Sequence, residues 1–129
     1  MKLNVSLYIP VYNGELTIES VLKSVLKLNP GPEEIIVVND GSTDRTKEIL
    51  KDYKDKIHII DNPSNMGLAH SRNVGVSKSK HENIAALDAD VEVDQNWLKN
   101  LYETKNKYKS SISGGTLIEK YKDKNMYNF

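Results

Sequence analysis

Two aspartates one residue apart, Asp88 and Asp90 in "NIAALDADVEVD", follow a short apolar run. If they end a strand, side chains two apart share a face, and their mutual repulsion is relieved by a cation, a hydrogen-bond donor or solvent. A hard divalent cation fits, because Mg²⁺ and Mn²⁺ take one or two carboxylates and complete their shell with water and substrate phosphates. Alone, an Asp-x-Asp pair is a weak signal. Two further polar stretches strengthen it: "PVYNG" at Pro10–Gly14 and "NDGSTD" at Asn39–Asp44, each placed directly after an apolar run.

These runs define the elements. "NVSLYIP", "EEIIVVND", "KIHIID" and "NIAAL" read as strands, and the unbroken run Ile84–Leu87 predicts a strand covered on both faces. Helices alternate with them. Ile18, Val21, Leu22 and Val25 repeat at helical spacing and "NPGP" at Asn29–Pro32 stops that helix. Ser42 or Thr43 is placed to cap the next one, Asp44 to sit in its first turn, and Thr46, Ile49, Leu50 and Tyr53 to form its buried face. A third helix is expected from about Leu68 to Ser77, a fourth carrying Trp97, Leu98, Leu101 and Tyr102, and a fifth strand in "SISGGTLIEK". This β-α alternation predicts one α/β domain over residues 1–129, Rossmann-like, its mostly parallel sheet covered by helices on both faces. Ligands of such sheets bind beyond the carboxyl ends of the strands, and all three polar stretches fall at that edge.

Composition narrows the chemistry. Eighteen basic and 18 acidic residues cancel, so no overall charge favours nucleic acid or an anionic membrane. The chain has no cysteine, which excludes disulfides and thiolate metal sites. It shows neither the apolar segment of a signal peptide nor a membrane span, and reads as cytoplasmic, either free or peripheral at the cytoplasmic face of a membrane. The turn after the first strand holds Gly14 alone, which disfavours a dinucleotide fingerprint, and no lysine-bearing phosphate loop or Gly-x-Ser-x-Gly turn is present.

The stretches "VSLYIPVYNGELTIESVLKSVL", "EIIVVNDGSTDRTKEIL", "NMGLAHSRNVGV" and "IAALDADVEVDQNWL", in this order, resemble the nucleotide-sugar-binding half of family 2 glycosyltransferases with the GT-A fold. The likeness runs from about Asn4 to Leu101, and "GGTLI" continues it. It implies transfer of a sugar from a nucleoside diphosphate donor, usually with inversion, with Mg²⁺ or Mn²⁺ as cofactor, to an acceptor (glycan, lipid or protein) that the sequence does not identify. By the same resemblance Pro10 and Tyr12 line a nucleobase pocket, Asp40 accepts from the base imide N–H and so favours uridine, and Arg72 lies near base and diphosphate. Asp88 approaches the ribose and Asp90 the metal. Asn39 stands where the family usually has a second Asp. The catalytic base is expected beyond Phe129, which makes the domain incomplete at its C-terminus and open to self-association; Glu119 is the nearest late carboxylate.

Structural roles compete with several of these. Asp40 could close an Asx turn with Gly41-Ser42, Arg72 could bind a carboxylate on the sheet edge, and Trp97 reads as core. Arg45 reads as solvated surface, and His58, His70 and His81 lack metal-ligand spacing. A non-catalytic nucleotide-binding module and a metal-dependent nucleotidyltransferase remain the alternative functions.

Overall fold

The computed structural model describes residues 1–115. The elements run β1 (Lys2–Val11), α1 (Ile18–Leu26), β2 (Gly31–Asn39), α2 (Thr46–Lys51), β3 (His58–Asp61), α3 (Leu68–Lys78), β4 (Asn83–Ala86) and α4 (Trp97–Tyr108). The strands form one sheet in the order β3-β2-β1-β4, and every neighbouring pair is parallel.

Period-two alternation in the central strands assigns each face its helices. Val5, Leu7, Ile9 and Val11 of β1, with Val37 of β2, pack with Ile18, Val21, Leu22 and Val25 of α1, Leu50 of α2 and Leu98 of α4. The opposite face carries Tyr8, Ile36 and Val38, with Val74 of α3 and Ile60 of β3. Helices therefore cover both faces, as the alternation of apolar runs predicts. The expected buried set of α1 is buried in full, whereas of the four α4 residues only Leu98 is fully enclosed. α3 has no apolar stripe. Its buried positions are Ser71 and Gly75, four apart, and a Cβ at Gly75 would come within 2.5 Å of the Tyr8 ring. Small residues there let the helix lie close against β1.

Three local expectations are corrected. β4 is covered on one face only: Leu87 is buried, but Ile84 is 40% exposed, because α3 crosses β1 and β2 and leaves the outer strand bare on that side. α2 begins at Thr46, and the group capping it is Asp44, whose Oδ1 accepts from the Thr46 N–H at 2.9 Å; Ser42 and Thr43 are used elsewhere. Residues 111–115 of the expected fifth strand are not extended into the sheet, and the rest of "SISGGTLIEK" lies outside the described residues.

Candidate functional site at the carboxyl edge

Alternation carries β1 and β2 past the core on the α3 side. Tyr8 and Pro10 are followed by Tyr12, and Ile36 and Val38 by Asp40, so a carboxylate takes the place of the next core residue. Pro10, Tyr12, Asp40, Asn65, Leu68 and Ser71 line a cavity of about 200 Å³ there. Tyr12 is 47% exposed and presents its ring at the rim.

Asp40 is only 4% exposed and heavily bonded. Its Oδ1 accepts from Asn62 Nδ2 at 2.9 Å and from the Met66 N–H at 2.8 Å, and its Oδ2 from the Gly67 N–H at 3.0 Å. Burial pushes its pKa up, but the bonds from Asn62, Met66, Gly67 and the Ser71 hydroxyl outweigh it and hold the carboxyl below the usual range. Asp40 thus fastens the loop 62–67, "NPSNMG", to the end of β2. Gly41 completes the junction at φ +68, where a Cβ would stand 2.4 Å from the Ser64 carbonyl carbon. The Asx-type turn falls instead to Asn39, whose Oδ1 accepts from the Ser42 N–H at 3.3 Å. Its Nδ2 donates to Asp61 Oδ1 at 2.8 Å, so the amide at position 39 joins β2 to β3 where a carboxylate would be repelled.

The first two edge loops are tied together by a residue that sequence reasoning passed over. Asn13, at φ 50, accepts through Oδ1 from the Thr43 and Asp44 N–H groups at 2.8 and 3.3 Å, and its own N–H donates to Ser42 Oγ at 2.9 Å. Gly14 N–H donates to Thr46 Oγ1 at 2.8 Å and Glu15 N–H to Asp44 Oδ2 at 3.1 Å. The Asn-Gly pair was the available signal, since Asn tolerates the left-handed region.

Asp88 and Asp90 do not extend a strand. β4 stops at Ala86, and the Val91 N–H bonds the Asp88 carbonyl at 3.3 Å, closing a turn that holds both carboxylates. Turn geometry there replaces the strand's period of two, so the two side chains are not placed on one strand face as expected. Thr17, at the head of α1, donates to the Ala89 carbonyl at 2.8 Å and pins this turn against the first edge loop. Arg72 reaches across from α3 to Asp88, Nη2 to Oδ1 at 3.2 Å, with both side chains about half exposed. Asp90 is exposed and takes no bond from the described residues.

Among the described residues no three His, Cys, Asp or Glu side chains converge on one point. The donor set offered is one or two exposed carboxylates, which fits a hard cation that keeps waters and borrows phosphate oxygens. A larger hollow of about 500 Å³ lies along β4 and α4, walled mostly by apolar groups including Trp97, Leu98, Leu101 and Tyr102. It flanks the bare outer strand, away from the carboxyl edge, so the smaller cavity is the candidate site. Trp97 packs against the core, as expected of it.

Fold and edge together define an α/β domain with a cleft beyond the strand ends, a buried carboxylate in that cleft and acidic groups at its mouth. The family model for glycosyl transferase family 2 matches residues 6–128, and the chain belongs to that family. It is 39% identical over 93 residues to the poly-beta-1,6-N-acetyl-D-glucosamine synthase of Staphylococcus epidermidis, covering 70% of this chain and 22% of that protein. Against the glycosyltransferase GlyA of Streptococcus pneumoniae it is 30% identical over 127 residues, covering 97% of this chain and 18% of the other. The chain spans about a fifth of the length of these relatives. The solved structure of S. aureus TarS 1-349 in complex with UDP-GlcNAc superposes with a TM-score of 0.75 at 26% identity, over 92% of this chain and 37% of that one. A mannosyltransferase from Pyrobaculum calidifontis shares the fold, with a TM-score of 0.73 at 22% identity over 80% of this chain and 32% of that one. Among the described residues no helix is long and apolar enough to cross a membrane.

Proposed function

We propose that this chain is the donor-binding part of an inverting glycosyltransferase that takes a uridine diphosphate sugar together with Mg²⁺ or Mn²⁺. The observation that carries the reading is the single cleft holding Pro10, Tyr12 and the buried Asp40, with Arg72 and Asp88 joined near it on α3 and the turn after β4. TarS, a structural neighbour at 26% identity, has been solved with UDP-GlcNAc, which supports a uridine donor. In this reading the Tyr12 ring stacks on the base and Asp40 accepts its imide N–H. Arg72, a planar donor, turns from Asp88 to the diphosphate, and Asp88 turns to the ribose. Asp90 holds the cation, whose chemistry is to neutralise charge on the departing diphosphate. The base for the acceptor hydroxyl belongs to no described residue in this scheme; Glu119 and Asp123 lie outside the described residues.

Calorimetric titration tests the reading. UDP should bind more tightly than ADP or GDP, by about 1.5–3 kcal/mol if a hydrogen bond to a charged group is at stake, and Mn²⁺ should tighten UDP. Equal affinity for all three nucleotides, unchanged by metal, would overturn it.

A further inference from the structure

Resting on the assignment of the cleft to a uracil base, we propose that Ser71 is a second base-reading residue: its hydroxyl turns from Asp40 to a carbonyl oxygen of the base as the imide N–H takes its place on the carboxylate. A carboxylate offers about four lone-pair positions. Asn62, Met66 and Gly67 occupy three of them on Asp40, and the Ser71 hydroxyl, held on the same Asn62 amide and lining the same cavity, stands beside the carboxylate and helps to keep its pKa down. A base N–H arriving at Asp40 therefore competes with the Ser71 proton for the remaining position, or displaces one of the three bonded donors.

Two of the four are backbone groups of the loop 62–67, and Asn62 is held at both protons, one on Asp40 Oδ1 and the other on Ser71 Oγ at 3.1 Å. Moving any of these three shifts the loop. The Ser71 hydroxyl moves by rotation about one bond. Its oxygen is fixed by the Asn62 bond and by its place on α3, it is 1% exposed, and it lines the same cavity as Asp40. Because it is buried, its proton must find an acceptor when it leaves Asp40. The 2,4-dione edge of uracil supplies one, since an imide N–H is flanked by carbonyls on both sides. Asp40 and Ser71 then present an acceptor beside a donor, complementary to the N–H and C=O of the base. Cytosine, with a bare ring nitrogen at that edge, leaves Asp40 facing a lone pair. Asn65 also lines the cavity and could donate, but it is exposed, so water replaces whatever it gives.

The test is a titration of the 129-residue chain and its Ser71→Ala and Asn65→Ala variants with UDP, N3-methyl-UDP, 2-thio-UDP and 4-thio-UDP, at a pH where the imide is protonated. A thiocarbonyl is a poor acceptor, so the parent chain should bind one thio analogue more weakly than UDP by about three- to tenfold, the size of one neutral hydrogen bond. Ser71→Ala should weaken UDP by a similar factor and abolish the discrimination between oxygen and sulfur, while Asn65→Ala keeps it. Thiation also acidifies the imide, a change common to parent and variant that cancels in the comparison. If the parent binds both thio analogues as well as UDP, or if Ser71→Ala keeps the parent's ratio, the inference on Ser71 is overturned while the uracil assignment stands. If N3-methyl-UDP binds as tightly as UDP, the uracil assignment itself fails and takes this inference with it.

Discussion

Replacing Asp40 by alanine should cost this domain about 2–6 kcal/mol of stability at neutral pH, before any ligand is considered. The magnitude follows from what each donor does next. Gly67 N–H has a second acceptor in Asn65 Oδ1 at 3.0 Å, so its loss is partly covered. Met66 N–H and one amide proton of Asn62 have no such alternative, and each donor left unmade in a buried site costs about 1–3 kcal/mol. Urea unfolding of parent and variant measures the total, and amide exchange at Met66 and Gly67 shows whether the loss is confined to the loop 62–67. The pH dependence carries its own sign. The Asp40 pKa is lowered in the folded state, so its contribution is fully present above the unfolded carboxyl value of about 3.9 and is lost as pH falls through the lower folded value. The parent should therefore lose stability along that acid limb, and Asp40→Ala should follow it less steeply. A stability change under about 1 kcal/mol, with the exchange of Met66 unaltered, would refute the role given to this carboxylate.

Asn39→Asp should remove the 2.8 Å bond to Asp61 and set two carboxylates against each other, costing about 1–3 kcal/mol at pH 7 and less as the pair gains a proton on acidification; equal urea midpoints for parent and variant at pH 7 would count against it. Asp90→Asn should leave the fold intact but remove most of the mutual tightening of UDP and Mn²⁺, measured by titrating each in the presence of the other, since such coupling is reciprocal. UDP binding indifferent to metal in the parent would reduce the acidic turn to solvated surface. The bare face of β4, with Ile84 40% exposed beside an apolar hollow, should drive weak self-association, and sedimentation showing a strict monomer over a wide concentration range would exclude it.

What the sequence disclosed was the part governed by periodicity. The apolar set of α1 and the succession of strand and helix periods placed helices on both faces and the polar stretches at one sheet edge, whereas the grouping of Pro10, Tyr12 and Asp40 came from the family resemblance and the structure brings them to one cleft. The departures came where a short segment has more than one way to satisfy its backbone. "IAAL" reads alike for a central strand and an outer one, because exposure is set by which strands a crossing helix covers and not by the run itself. Asp44 displaced Ser42 and Thr43 as the cap because those two residues bond Asn13, a partner about 30 positions away that no local pattern announces. Ser71 was hidden for the opposite reason. A hydroxyl in a polar helix looks like surface until the close packing of Gly75 on Tyr8 turns that face inward.

These long-range bonds bear on how the cleft meets a charged ligand. Asn13 joins the first edge loop to the second, Asp40 joins the second to the loop 62–67, and Thr17 joins the turn of Asp88 and Asp90 to the head of α1. Each wall is thus held by neutral or buried bonds that a ligand need not break, with the Ser71 proton the exception proposed above. The charges are arranged differently. Arg72 and Asp88 meet at 3.2 Å but are 48% and 59% exposed, and an ion pair so solvated is worth only about 0–1 kcal/mol. Giving it up for a diphosphate and a ribose costs little. A buried version of the same pair would resist exchange, since separating buried charges costs several kcal/mol. The physical division is between rigid walls built from backbone donors and a loosely paired mouth built from exposed charges. Arg72→Gln is accordingly expected to change stability by less than about 1 kcal/mol while weakening UDP by more than that, and a variant that unfolds more readily without losing nucleotide affinity would show that the pair serves the fold and not the ligand.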